Sequence, residues 1–353
     1  MTQAMVDSPR FVWFGPWSPY HNNSRYADLL PRLRNVRTIK YPLSTIRLVR
    51  GAQLRVYPRI LTRAVGGLGR TWRGLFCTDI RQIPHFRERV VVDHDDPAFT
   101  MNEVQALNAP NVKLVVLTTE RARERLVAQG LRSPTAVVPQ GVSLRDVQLD
   151  QVSRLRADLR TSGDVVIGYT QPFMFCRTDF RVLTTAQEMY CIDDLLDAYR
   201  RACAEAPELR LWLIGRPSAS VRARTAHMKS VRLCGLVQPH QILGYVANFD
   251  IGVYPRFVDL GGRESVKVVQ ALACGVPVIA ANVAESLPVR ESGGGILVDS
   301  VDDLARAMVR LAKDPETRMA LAAKARAFGA RRDWDILARR YDDLLSLYGQ
   351  QEN

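Results

Sequence analysis

The densest chemistry in this chain is Asp93-His94-Asp95-Asp96-Pro97, which follows at once on the β-branched run Val90-Val91-Val92. A short continuous apolar run of that kind reads as a strand buried on both faces of a parallel sheet. The polar cluster should therefore project from the strand's carboxyl end, where ligands collect in such sheets. Carboxylates and an imidazole there have three uses: to hold a substrate, to bind a metal as a DxDD set does in other phosphate enzymes, or to cap the helix that follows. A second constellation is Gly261-Gly262-Arg263-Glu264-Ser265-Val266-Lys267. Its glycine pair lets backbone approach a ligand closely. The helix beginning at Ser265-Val266 offers unpaired N–H groups and a positive dipole end to a diphosphate. His21 and His85 stand in loop-like sequence and are weaker candidates.

These groups need elements to hold them. The chain opens with the apolar run Phe11 to Phe14, ended by Gly15-Pro16. A helical pattern follows over residues 24–33, with Ala27, Leu29, Leu30 and Leu33 apolar and Ser24 as a cap. Strands are expected over residues 90–92, 112–117 and 136–138, with a helix over 119–129 stopped at Gly130. Past residue 163 the pattern restarts. Strands over 165–169, 209–214, 231–233, 251–254 and 276–281 alternate with helices over 192–204, 238–247 and 265–273. Such alternation means right-handed βαβ crossovers and parallel sheets. The tail over 301–347 is helical, with breaks near Pro315 and Gly329. A length of 353 residues suits two domains. The expected fold is α/β, two Rossmann-like doubly wound domains facing across a cleft, where the ligand belongs.

Charge is unevenly placed. Between Arg32 and Arg89 stand 14 Lys or Arg and two acids, Asp79 and Glu88, so this stretch holds nearly all of the net +13. Such a field attracts polyanions, anionic lipid or phosphorylated small molecules. Within it, residues 45–73 alternate Arg47, Arg50, Arg55, Arg59 and Arg63 with apolar residues and precede no obvious buried strand. They read either as a pair of amphipathic surface helices touching anionic lipid or as the wall of a pocket for an anionic acceptor. Pro58 and Gly66-Gly67 exclude one long membrane-lying helix. No apolar run is long enough for a signal peptide or a transmembrane helix. The six cysteines form no CxxC and no Cys/His cluster, which fits reduced thiols in the cytoplasm. No aromatic RNA-binding motif accompanies the basic stretch, so nucleic acid is not an expected partner.

The run from Gly261 through Gln270-Ala271-Leu272-Ala273-Cys274-Gly275-Val276-Pro277-Val278-Ile279-Ala280 resembles the donor-site segment of the group 1 (family 4-like) retaining glycosyltransferases of GT-B fold. Val137-Val138-Pro139-Gln140-Gly141-Val142 resembles the family's interdomain turn, and Leu211 to Gly215 and Leu233 to Val237 its donor-domain strands. Trp334 to Tyr348 resembles the helix that crosses back to the first domain. The resemblance implies an acceptor-binding domain over residues 1–145, a donor-binding domain over 155–330, and a returning helix over 331–353. It implies transfer of a sugar from a UDP-, GDP-, ADP- or dTDP-sugar to an acceptor hydroxyl, with retention, without metal and with no bound cofactor. Many such enzymes act on lipid-linked acceptors, so an anionic or lipid-linked acceptor and peripheral contact with the inner face of the membrane are further expectations.

The resemblance also assigns roles, with departures. The family places two glutamates eight positions apart, and those positions hold Gly262 and Gln270 here. Gln270 is expected at the ribose, hydrogen-bonding without charge assistance. Glu264 stands two positions from the first acid. Lys267 sits where some subfamilies carry a phosphate-binding lysine, and Leu236-Val237 where the loop meets the nucleotide base. The family's usual basic pair is out of register; Arg177 and Arg181, in an expected long loop over residues 172–190, are the replacements. Asn22-Asn23 fall where many members have Gly-Gly, which makes the loop carrying Gly15, Asn22 and Asn23 an expected acceptor site. The family often has His or Asp at the end of the strand before the acidic cluster, so His94 or Asp95 is expected to orient the acceptor. Alternatives from other classes are a GT-B epimerase or phosphorylase and a non-catalytic, nucleotide-sugar-binding member.

Overall fold

The computed structural model describes residues 11–17, 24–42, 74–86, 88–259 and 261–350. It divides into two compact units. One comprises Met1–Gln140, Gly261–Arg263 and Trp334–Asn353; the other comprises Gly141–Leu260 and Glu264–Asp333. Residues 45–73, His21, Asn22 and Asn23 lie outside the described residues.

In the first unit the strands are β1 (Phe11–Trp17), β2 (Val36–Pro42), β3 (Gly74–Cys77), β4 (Val90–His94), β5 (Val112–Leu117) and β6 (Thr135–Val137). They pair in the order β2-β1-β3-β4-β5-β6, every recorded pairing parallel. The valine run does what its composition dictates. Val90 and Val92 face one layer, with Ile83, Val104, Leu107, Ala122 and Leu126. Val91 faces the other, with Leu29, Trp334, Leu337, Tyr341 and Leu345. That second layer includes the terminal helix Trp334–Gln350, which buries Trp334, Leu337, Ala338, Tyr341 and Leu345 at three- and four-residue spacing. Sequence reading missed β2 and β3. The basic stretch in fact leads directly into β3, a fully buried strand between β1 and β4. Its Gly74 is demanded by packing, since a Cβ there would lie 2.9 Å from the carbonyl of Arg89. The expected helix over 24–33 is a helix, Ser24–Leu29, tightening into a 3-10 turn, Leu30–Arg32, around Pro31.

The second unit repeats the plan with β7 (Val165–Met174), β8 (Leu209–Pro217), β9 (Val231–Gly235), β10 (Ile251–Tyr254), β11 (Val278–Ala281) and β12 (Gly295–Val298). Their order is β12-β11-β10-β7-β8-β9, again parallel. Strand order reverses between β7 and β10, the switch point at which doubly wound sheets bind ligands. In the first unit it reverses between β1 and β3.

One expectation fails here for a physical reason. Residues 172–190 are not one long loop. β7 is bulged between Thr170 and Phe173 and continues to Met174 against Arg216 and Pro217. A 3-10 turn, Arg177–Asp179, and a helix, Thr185–Glu188, with a Thr184 capping box then follow. The expected breaks in the tail are present: one helix ends at Lys313 and the next starts at Pro315, and that helix ends at Ala330 before the last starts at Trp334. Gly329 also lets two helices touch, since a Cβ there would sit 2.4 Å from the Ala273 Cα.

Candidate functional site

In the first unit, β4 carries Asp93 and His94 as its last two residues. Asp93 is fully buried, and its carboxylate is gripped by Arg25, with Nε donating at 3.0 Å and Nη2 at 3.2 Å. The Tyr341 hydroxyl donates to it at 2.9 Å. Arg25, also fully buried, further donates to the carbonyls of Val138 at 3.0 Å and Pro139 at 3.2 Å. Burial pushes the Asp93 carboxyl up from the ordinary value, while Arg25 pulls it down.

His94 faces the other way. Its Nε2 hydrogen-bonds the Glu103 carboxylate. That carboxylate also accepts from the backbone N–H of Ala98 at 3.0 Å and of Thr100 at 3.2 Å. Burial works against the charge on Glu103, but His94 and these two amides outweigh it and hold the carboxyl below its usual value. The cap of the helix Met101–Leu107 is Thr100, in a capping box with Glu103, and not an aspartate. Asp95 accepts from the Tyr26 hydroxyl at 2.9 Å. Among the described residues no group of three or more His, Cys, Asp or Glu is arranged to hold a metal.

Gly261 and Gly262 belong to this unit and take φ of +102° and +110°, the region that favours glycine. The Thr119 hydroxyl donates to the Gly262 carbonyl, and Arg125 Nη1 donates to the Gly261 carbonyl at 3.4 Å. Arg263 pairs with Asp96. The acidic cluster and the glycine pair, 165 or more positions apart in sequence, thus meet in one place. Gly15 lies in β1, in register with Lys40 of β2.

The second unit gathers most of the other candidates near its switch point. Ser265 occupies the cap position of the helix Val266–Ala273 without a side-chain cap bond, and its N–H donates to Glu285 O at 3.2 Å. Val266 opens that helix, and Lys267 stands in its first turn. The Lys267 ammonium donates to Gln171 Oε1, a side chain supplied by the end of β7. Burial and the neighbouring charge of Arg256 push the Lys267 amine down to about 7. Arg256 follows β10, stacks over the Tyr254 ring at 5.1 Å and donates to Met189 O at 2.8 Å. Tyr169, Tyr254, Arg256 and Phe257 line a cavity at the β7 and β10 ends. Gln270 is half-buried further along the helix, and Leu236 is exposed after β9 with Val237 half-buried beside it.

Arg177 lines the same cavity but is already paired. Arg177 is clamped by Glu188 at 2.7 Å and by both oxygens of Asp194, at 2.9 and 2.7 Å; these bonds raise its already high pKa. Arg181 is exposed. Glu264 has a side chain only 2% exposed, and Arg332 holds it at 3.0 Å.

Residues 182–314 match the model of the glycosyl transferases group 1 family. A GDP-mannose-dependent phosphatidylinositol monomannoside mannosyltransferase of Corynebacterium glutamicum is 28% identical over 163 residues, 43% of each chain. A D-inositol 3-phosphate glycosyltransferase of Rhodococcus jostii is 28% identical over 277 residues, 72% of this chain and 56% of the relative. This chain spans about half the length of the curated relatives it matches. Among solved structures, Anabaena HepE with UDP and glucose superposes with a TM-score of 0.70 at 14% identity, over 96% of this chain and 100% of that one. WaaG, a glycosyltransferase of lipopolysaccharide biosynthesis, gives 0.68 at 12% identity, over 95% and 100%.

Over residues 182–314 the chain is similar to the group 1 glycosyltransferases. Its two parallel sheets are those of the GT-B fold. Sequence reading overlooked Arg25, Glu103, Gln171, Arg256 and Tyr341. Only Glu103 carried a signal, the Thr100-x-x-Glu103 spacing of a capping box.

Proposed function

We propose that this protein transfers a sugar from a nucleotide sugar to an acceptor hydroxyl, with retention and without a metal. The observation that carries this is the Lys267 and Arg256 pair at the switch point of the second unit, beside the N-terminus of the helix Val266–Ala273. Two cations and a row of free helix N–H groups suit the diphosphate of a donor, whose departure needs its new charge stabilised. Gln270 is assigned to the ribose and the Leu236-Val237 backbone to the base. The first unit is assigned to the acceptor, with His94 and Asp95 orienting its hydroxyl.

The acceptor is proposed to be an anionic polyol, free or lipid-linked. Curated relatives are named for D-inositol 3-phosphate and for phosphatidylinositol mannosides, and the basic stretch over residues 32–89 supports an anionic partner. Action at the cytoplasmic face of a membrane fits that reading; no helix among the described residues is long and apolar enough to cross one.

Thermal-shift titration with UDP-, GDP-, ADP- and dTDP-sugars identifies the donor, since a ligand at 100 times its Kd stabilises by about 2.7 kcal/mol. Release of nucleoside diphosphate is then measured with inositol phosphate or phosphatidylinositol vesicles, with and without EDTA. Acceptor-dependent, EDTA-insensitive release is expected. Binding without release, or release without a glycoside product, would overturn the transferase reading.

A further inference from the structure

Glu103 is tied to more than its own helix. Its carboxylate, 3% exposed, has three hydrogen-bond partners within the first unit: His94 Nε2, Ala98 N and Thr100 N. A helix cap alone needs only the Thr100 contact. The other two bonds draw in the strand end and the loop after it.

The loop is shaped for this. Phe99, one residue before the cap, has φ of +57°. A bulky residue in that left-handed conformation is costly and persists only where its surroundings impose it. Here the Phe99 ring is buried under the Arg125 guanidinium, 4.0 Å from the ring centre, and the Phe99 carbonyl accepts from Gln129 at 3.0 Å. The reversal at Phe99 brings the helix start back towards β4, so that a residue nine positions later in sequence reaches the His94 ring.

A carboxylate accepting two backbone N–H bonds stays ionised, and an ionised carboxylate only accepts. The imidazole nitrogen facing it must therefore carry a proton. We propose that Glu103 is the positioning residue for His94: it fixes the ring with the proton on Nε2 and leaves Nδ1 as a hydrogen-bond acceptor for a hydroxyl of the substrate. This rests on the assignment of His94 to the acceptor. It adds which nitrogen is used, what orients it, and the chemistry recognised, a hydroxyl donor and not an anion.

The test starts with the full-length, ligand-free protein, labelled with 15N. One imidazole N–H proton should appear downfield of the amide envelope at neutral pH, exchange slowly and disappear in H94Q. It should be lost in E103Q and kept in T100A, which removes the hydroxyl of the capping box and leaves the Thr100 N–H in place. Absence of the resonance in the wild type, or its survival in E103Q, overturns the proposal whatever the enzyme's substrates are. A second arm uses turnover of whichever nucleotide sugar the donor screen selects. E103Q should lower kcat/KM by roughly 10- to 100-fold in the wild-type background, the worth of a hydrogen bond to a charged group, and have almost no further effect in H94Q. Equal losses in both backgrounds would make Glu103 a helix cap alone. An inactive enzyme with the N–H resonance intact would fault the transfer reading and leave the dyad standing.

Discussion

Replacing Arg25 by Met tests how the first unit is held together. Arg25 makes two bonds to Asp93 and further bonds to Val138 O, Pro139 O and Gln140 Oε1, with no exposed surface. Met fills much of the same volume but leaves Asp93 buried with Tyr341 as its remaining side-chain donor. Removing one partner of a buried pair costs about 3–5 kcal/mol, whereas replacing both by apolar residues is often neutral. R25M should therefore lose about 3–5 kcal/mol, and R25M/D93L should recover most of it. The loss should also depend on pH. Burial already raises the Asp93 carboxyl, and without Arg25 it rises further. A raised carboxyl favours the fold below its unfolded-state value and loses that advantage as pH climbs through the folded-state value. The R25M penalty should then shrink as pH falls towards the ordinary carboxylate range. Two units need not unfold together, so the assay is hydrogen exchange by mass spectrometry on peptides spanning β4 and the helix Trp334–Gln350. An R25M penalty under about 1 kcal/mol, or a double variant no better than the single one, would refute the reasoning.

Three further outcomes follow from the geometry. K267M should weaken nucleoside diphosphate binding by roughly 10- to 100-fold in calorimetry. Because the Lys267 amine lies near 7 and a bound anion favours its charged form, wild-type affinity should fall as pH rises through about 7, a trend K267M should lack. G262E, which restores the family's acid, should lower Tm by about 4–8 °C, since φ is +110° and a Cβ there meets the Arg121 side chain at 3.1 Å. G329A should destabilise by about 1–3 kcal/mol in chemical denaturation despite alanine's higher helix propensity, because the new methyl meets Ala273.

The fold was largely legible because both sheets are built from continuous apolar strands separated by helices of ordinary length. What escaped was short or, in β2, a run that carries Arg37 and Lys40. β3 has four residues beginning with Gly, and β12 is Gly-Ile-Leu-Val, too brief for any period to register. The candidate site was legible in part. His94, Asp95 and the glycine pair announced themselves by clustering, and Lys267 by its place at a helix start. Arg25 and Tyr341 did not, since partners 316 positions apart leave no local pattern. Arg256 stands in no motif; its position at a switch point exists only once β7 and β10 are paired.

The departures from the family motif make physical sense together. In the second unit the position of the ribose-binding acid holds Gln270, and the nearby acid, Glu264, is already held by Arg332. Lys267 thus meets a neutral amide, Gln171, with Arg256 as the neighbouring charge that acts on it. A buried ammonium beside another cation loses its proton more easily, and that is the direction of the shift. A dianionic ligand reverses the balance by supplying the missing counter-charge. Restoring the acid with Q270E should accordingly raise the Lys267 amine and flatten the pH dependence of nucleotide binding; a pH profile unchanged in Q270E would separate Gln270 from the phosphate-binding cations.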